Sequence, residues 1–152
     1  MKYDKIVSYF NRGEEGLNEL VVDYKDIFNQ IDDYGQQLLQ GIITDSDGYK
    51  NVLNFMTGAY VSLEPLYSLA EAHKLNEELK SYIGLKREGE AKGEKVVATH
   101  LDKESSLSVA NERRIRNILE GYVLATEKAI VTCQTQLKRL EQDEKYKPQE
   151  NK

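Results

Sequence analysis

Only two residues of the chain are proline, Pro65 and Pro148. Nearly every backbone N–H is therefore free to donate, and almost no position is barred from the helical region. Where such a chain also repeats its apolar residues every three or four positions, the expected elements are amphipathic helices. Three stretches do so. In the first, Leu17, Leu20, Val21, Tyr24, Ile27, Phe28, Ile31, Tyr34 and Leu38 alternate with Glu19, Asp23, Asp26 and Asp33. A shorter helix bearing Tyr3, Ile6 and Phe10 precedes it, ended by the "NRGEEG" breaker at Gly13 and Gly16. The second runs from Val52 to Ile83 and contains Pro65, which predicts a kink or break near Leu63 and Glu64. The third carries Ile115, Ile118, Leu119, Tyr122, Ala125, Ala129, Cys133, Leu137 and Leu140. It predicts a long C-terminal helix starting near Ser105 and fraying after Asp143.

Between the second and third patterns lies "GLKREGEAKGEK", residues 84–95, with three glycines that each lower helix propensity by about 1 kcal/mol relative to alanine. The expected organisation is one helical domain over 1–144, interrupted by this polar linker, with a disordered tail over 145–152. The expected fold class is all-α, an elongated bundle or helical hairpin. With 39% hydrophobic and 31% charged residues and a mean hydropathy of −0.64, apolar surface must be confined to stripes. A thin bundle leaves part of each stripe uncovered, so homo-oligomerisation is expected, with Ile118, Tyr122, Ala129, Leu137 and Leu140 at the interface. Cys133 has no partner for a disulfide within the chain and falls on a stripe, as a small core residue would. No apolar run is long enough to span a membrane, and the N-terminus "MKYDKIVSYF" lacks the features of a signal peptide. A cytoplasmic location is expected.

No catalytic constellation is visible: no nucleophile elbow, no phosphate loop, no dinucleotide fingerprint. His73 and His100 stand in different segments without ligand-spaced neighbours and are expected at the surface. The stretch "TDSDGYKN" is acidic, but with Asp45 and Asp47 as the third and fifth ligands of a calcium loop the first would be Ile43 and the twelfth Asn54. It reads as a turn that caps the following helix. No enzyme activity, cofactor or metal is expected. Charge is more informative. Residues 1–83 hold 7 Lys/Arg against 14 Asp/Glu, whereas residues 84–117 hold 8 against 6. That basic segment contains Lys86, Arg87, Lys92, Lys95, Lys103, Arg113, Arg114 and Arg116. Folded back as a hairpin, it could line one rim with cations that follow a nucleic-acid backbone, with some of the ten tyrosines as stacking faces. A solvated, salt-bridged hairpin tip is the competing reading, and tyrosines at helical spacing also serve as core residues.

The order of features resembles the UvsY-type recombination mediators of tailed phages. The basic pair Lys86 and Arg87 stands ahead of a glycine-containing polar linker and then "HLDKESSLSVANERRIRNILEGYVLATEKAIVTCQTQLKRL". There Leu101, Asp102 and Lys103 precede a long helix whose Val109, Ile118, Leu119, Ala129, Ile130 and Leu137 fall where the apolar helix positions of such a family would fall. The likeness lies mainly in residues 84–140 and does not reach residues 1–50. It implies an oligomeric helical accessory factor without a catalytic site, in a phage-infected bacterial cell. Such a factor binds single-stranded DNA and helps load a RecA-like recombinase in place of a single-strand-binding protein. Lys86 and Arg87 match the basic pair to which DNA contact is attributed in that family; Lys92, Lys95, Arg113, Arg114 and Arg116 are added on charge alone. The acidic N-terminal half departs from the pattern and confines any contact to one rim. Two rival readings stay open. One is a virion or assembly protein, such as a head-to-tail adaptor or tail-assembly chaperone. The other is an acidic inhibitor of a host nucleic-acid-binding protein, using Glu14, Glu15, Glu19, Asp23, Asp26, Asp32 and Asp33 to imitate phosphates.

Overall fold

A computed structural model describes residues 2–146. The fold is an all-α helical bundle with a long C-terminal helix, and no strand occurs among the described residues. Six helices follow in order: α1 (Lys2–Asn11), α2 (Gly13–Asp23), α3 (Lys25–Leu39), α4 (Ser46–Ala91), α5 (Ala98–Ser108) and α6 (Ala110–Lys145). They pack as two compact units. The first comprises residues 2–23 with Glu64–Glu120, and the second Tyr24–Leu63 with 121–146. The tail expected to be disordered falls, beyond Tyr146, outside the described residues.

In the first unit, α1 and α2 form a tight helical pair. Gly13, with φ 57°, ends α1 in the left-handed region where a side chain would be strained. Gly16 abuts the Tyr9 backbone so closely that a β-carbon there would overlap the Tyr9 carbonyl. The pair is locked by the Tyr9 hydroxyl, which donates to Asp23 Oδ2 at 2.7 Å, and by Lys5 Nζ at 3.2 Å from the same oxygen. The Tyr9 bond, then that of Lys5, holds the Asp23 carboxyl below its usual range. Ile6, Tyr9 and Phe10 are buried together with Leu20, Leu66, Ala70, Ile115 and Leu119. His73 is half-buried and stacks on Phe10, ring centroids 4.3 Å apart, which corrects the surface position expected of it. His100 is exposed.

The second unit sets α3 against the first half of α4 and the second half of α6. Val52, Met56, Ala59 and Leu63 are buried at alternating steps of four and three, the spacing of a coiled-coil seam, against Val123, Thr126, Ala129 and Cys133 of α6. Thr126 is the one polar member of this set. Its hydroxyl donates to the Val123 carbonyl at 2.7 Å, so burial leaves no bond unmade. Cys133 is fully buried, as its place on the stripe suggested, and burial pushes its thiol pKa up. α3 packs through aromatic pairs: Phe28 stacks on Tyr122 at 4.0 Å, and Tyr34 meets Phe55 at 5.4 Å. Asp45 caps α4, accepting from the Gly48 N–H at 2.6 Å, which is the capping turn the sequence suggested.

Several boundaries differ from expectation. The pattern over 17–38 is two helices, divided at Tyr24, whose φ of −107° and ψ of 7° leave the helical region. α4 passes through Pro65 without ending, held on either side by Leu63 and Leu66, both fully buried. α4 also continues through Gly84 and Gly89 to Ala91, so most of the supposed linker is helix. Lys86–Glu90 and Glu88–Lys92 pairs at i,i+4 support that last stretch. The C-terminal pattern begins not near Ser105 but as separate helices, parted at Val109 with φ −106° and ψ 31°. Ser108 accounts for the break: its hydroxyl turns back to the Ser105 carbonyl at 2.7 Å and lies 2.9 Å from Ser81 Oγ on α4.

Candidate nucleic-acid interface

The basic segment folds as a hairpin in the first unit: the end of α4, a short turn, and α5 returning along it. Gly93 makes the turn. Its φ is 69°, its N–H donates to Glu90 O at 3.1 Å, and Glu94 N–H donates to Gly89 O at 3.0 Å, a Schellman closure that needs a residue without a β-carbon. Gly89 serves the return leg instead. A β-carbon there would sit 2.8 Å from Val96 Cγ2, so its absence lets the loop close onto α4. The glycines of the stretch therefore shape a tight hairpin tip instead of unwinding a linker.

Four of the predicted cations stand at this tip. Lys86, Arg87, Lys92 and Lys95 are all exposed. Lys92 Nζ is 2.7 Å from Glu88 Oε1; that bond raises the lysine pKa and lowers that of the glutamate, so Lys92 is spoken for. Lys86 lies 4.0 Å from Glu90, a loose pairing, while Arg87 and Lys95 make no ion pair among the described residues. Beside them a cavity of about 360 Å³ opens between the last turns of α4 and the first turns of α5, lined among others by Leu85, Glu88, Lys95, Val97, His100 and Glu104. Its walls mix both signs of charge, and His100 Nδ1 is 3.9 Å from Glu104 Oε1.

The three arginines lie elsewhere, so the single rim expected from the sequence does not form. Ser108 meets Ser81, ten residues before the end of α4, which sets the start of α6 about 15 Å from the tip. Arg116 is farther still, pairing with Glu71, about 30 Å along α4 from Ala91. It is held by Glu71 and Glu120 and donates to the Tyr67 hydroxyl at 3.3 Å. The bond to Glu71 is the main reason its pKa is raised. Two carboxylates on one half-buried guanidinium make this a structural clamp. Arg113 donates to the Ser106 carbonyl at 2.6 Å and to the Ser106 hydroxyl, capping the turn between α5 and α6. Arg114 alone of the three is exposed and without an ion pair among the described residues.

The expected interface residues are also drawn inward. Ala129 is buried within its own chain, and Ile118, Tyr122, Leu137 and Leu140 are half-buried. Tyr122 also donates to Asp32 Oδ2 at 3.1 Å. The large apolar residues of α6 left in solvent are Leu124 and Val131, which stand off the main stripe and which the sequence reading missed. No cluster of three or more His, Cys, Asp or Glu able to hold a metal occurs among the described residues. No helix there is long and apolar enough to cross a membrane.

No family model matches the chain, and no solved structure matches it. A curated protein that does is the type II restriction enzyme MboI of Moraxella bovis, 34% identical over 74 residues, 49% of this chain. The chain spans 26% of that enzyme's length, so the likeness is to one part of it.

Proposed function

We propose that the chain is a helical accessory protein that contacts single-stranded DNA through the α4–α5 tip and catalyses no reaction itself. The observation carrying this reading is the tip itself: Lys86, Arg87 and Lys95 face solvent on a hairpin closed at Gly93, with Lys86 only loosely paired. Such cations can follow a phosphate backbone, and each contact makes binding weaker as salt rises. Glu88, Glu90 and Glu94 share the tip, so one copy binds weakly and useful affinity requires several tips acting together. The partial likeness to a restriction enzyme is compatible with work on DNA. The resemblance to UvsY-type mediators points to recombinase loading as the process served, with a RecA-like recombinase and a single-strand-binding protein as partners in a bacterial cytoplasm.

A charge reversal tests the tip. Lys86→Glu with Arg87→Glu lowers single-strand affinity at low salt by about tenfold or more, while Arg114→Glu, remote from the tip, changes it far less. Equal affinity for all three proteins removes the tip from the site. The assembly-protein reading is favoured by one observation, the exposed Val61, Leu124 and Val131 of the second unit. The phosphate-mimic reading loses ground, because Glu19, Asp23 and Asp32 are engaged by Arg12, by Tyr9 with Lys5, and by Tyr122.

A further inference from the structure

In the second unit, α3 covers one flank of the α4–α6 pair and leaves the other bare. Val131 stands nine residues from Tyr122, the α6 residue stacked on Phe28 of α3. Nine residues are two and a half helical turns, so Val131 emerges on the side away from α3. There a groove of about 400 Å³ is lined by Tyr60 of α4 and by Glu127, Lys128, Ile130 and Val131 of α6. Val131 is 59% exposed and Leu124, two turns earlier on the same line, 48%. Val61 of α4, although 63% exposed, stands on the outer line of that helix, opposite the Val52, Met56, Ala59 and Leu63 seam, and takes no part in this flank. The unit has no other helix to lay over this flank, since α1, α2 and α5 belong to the first unit.

The pattern of the flank identifies its occupant. Two copies of a helix meeting antiparallel about a twofold axis pair residue i with j and j with i. An axis passing between Glu127 and Lys128 sets Glu127 of each copy against Lys128 of the other, and by the same register Leu124 against Val131. Both apolar pairs and both ionic pairs are satisfied by one operation. Neither Glu127 nor Lys128 makes an ion pair within its own chain among the described residues. A nucleic acid or an anionic lipid surface would meet Glu127 unpaired beside an apolar strip, and gains nothing from the match. Gly121, seven residues from Lys128 and with nothing within 4 Å of where its β-carbon would be, removes bulk at the edge of the contact.

We propose that this chain forms a twofold dimer in which α6 crosses α6 of a second copy antiparallel, centred between Glu127 and Lys128, with Tyr60 flanking the contact. A pairing of this extent buries on the order of 1,000 Å², the small end for specific assemblies, so a concentration-dependent equilibrium rather than a permanent dimer is expected. The inference is independent of the nucleic-acid reading.

Sedimentation velocity of the full chain over a range of micromolar concentrations tests it, with circular dichroism as the check on folding. The expected result is a monomer–dimer equilibrium that Val131→Glu weakens at least about a hundredfold by placing an unpaired charge in the apolar contact. Glu127→Lys and Lys128→Glu each weaken it by setting like charges opposite one another, and the double exchange restores it. A chain that is monomeric throughout, a dimer indifferent to Val131→Glu, or an exchange that fails to restore association overturns the proposal.

Discussion

At the scale of single residues, identity set burial reliably where the side chain had one physical option. Cys133, on an apolar stripe with no second cysteine, is fully buried. His73 had more than one, since an imidazole can be solvated or stacked, and only the proximity of Phe10 from α1 decides for stacking. No periodicity within α4 encodes that neighbour. Asp23 illustrates the same point: its place on a polar face gave no sign that Tyr9 and Lys5, fourteen or more residues earlier, would claim its carboxylate. Because its folded pKa is depressed, Asp23 contributes stability above the usual aspartate range, and that contribution is lost as pH falls through the depressed value. Asp23→Asn is therefore expected to cost roughly 1 kcal/mol at neutral pH, a charge-assisted bond discounted for partial exposure. The difference from the unaltered chain should shrink through the usual aspartate range and vanish only in acid below the depressed folded-state value. Urea unfolding at the two pH values checks this.

At the scale of elements, helices were legible and their ends were not. The three- and four-residue spacing that makes a helix does not record whether two helices share one pattern, which is why the break at Tyr24 went unseen. The opposite error arose at residues 84–91. Glycine's intrinsic penalty argued for a linker, but i,i+4 ion pairs and the return of the loop over Gly89 offset it, and the helix persists to Ala91. Only Gly93 acts as a terminator, because only there does the backbone adopt a positive φ within the stretch. Pro65 was expected to kink or break α4; the helix does not break there, with Leu63 and Leu66 buried on either side, and it carries the cost of a missing N–H donor. Pro65→Ala should consequently raise stability by on the order of 1–3 kcal/mol, seen as a higher midpoint of thermal or urea unfolding. No gain, or a loss, would mean that the proline fits a locally distorted helix better than alanine does.

At the scale of the whole molecule, sequence proximity misled where the chain runs along straight helices. Lys86 and Arg116 are thirty residues apart in sequence and share a basic segment, yet a helix rising about 1.5 Å per residue carries Arg116 to the far side of a long hairpin, where Glu71 and Glu120 absorb it. Net charge over a window counts such arginines as available; the fold removes Arg113 and Arg116 and leaves the tip. The same distinction holds for the apolar stripes: Leu20, Val52, Met56, Leu119 and Cys133 are buried, whereas Leu75, Leu79 and Ile83 stay exposed, as do Leu124 and Val131. The proposed contact, resting on Lys86, Arg87 and Lys95, would be weak, with a modest salt slope, and indifferent to base sequence. The most direct test is fluorescence anisotropy of a labelled single-stranded oligonucleotide and its duplex, titrated with the full chain at low and at physiological salt. The account predicts single-strand binding at low salt, preferred over duplex and weakened as salt rises. Absence of binding to either strand form at low salt would contradict it.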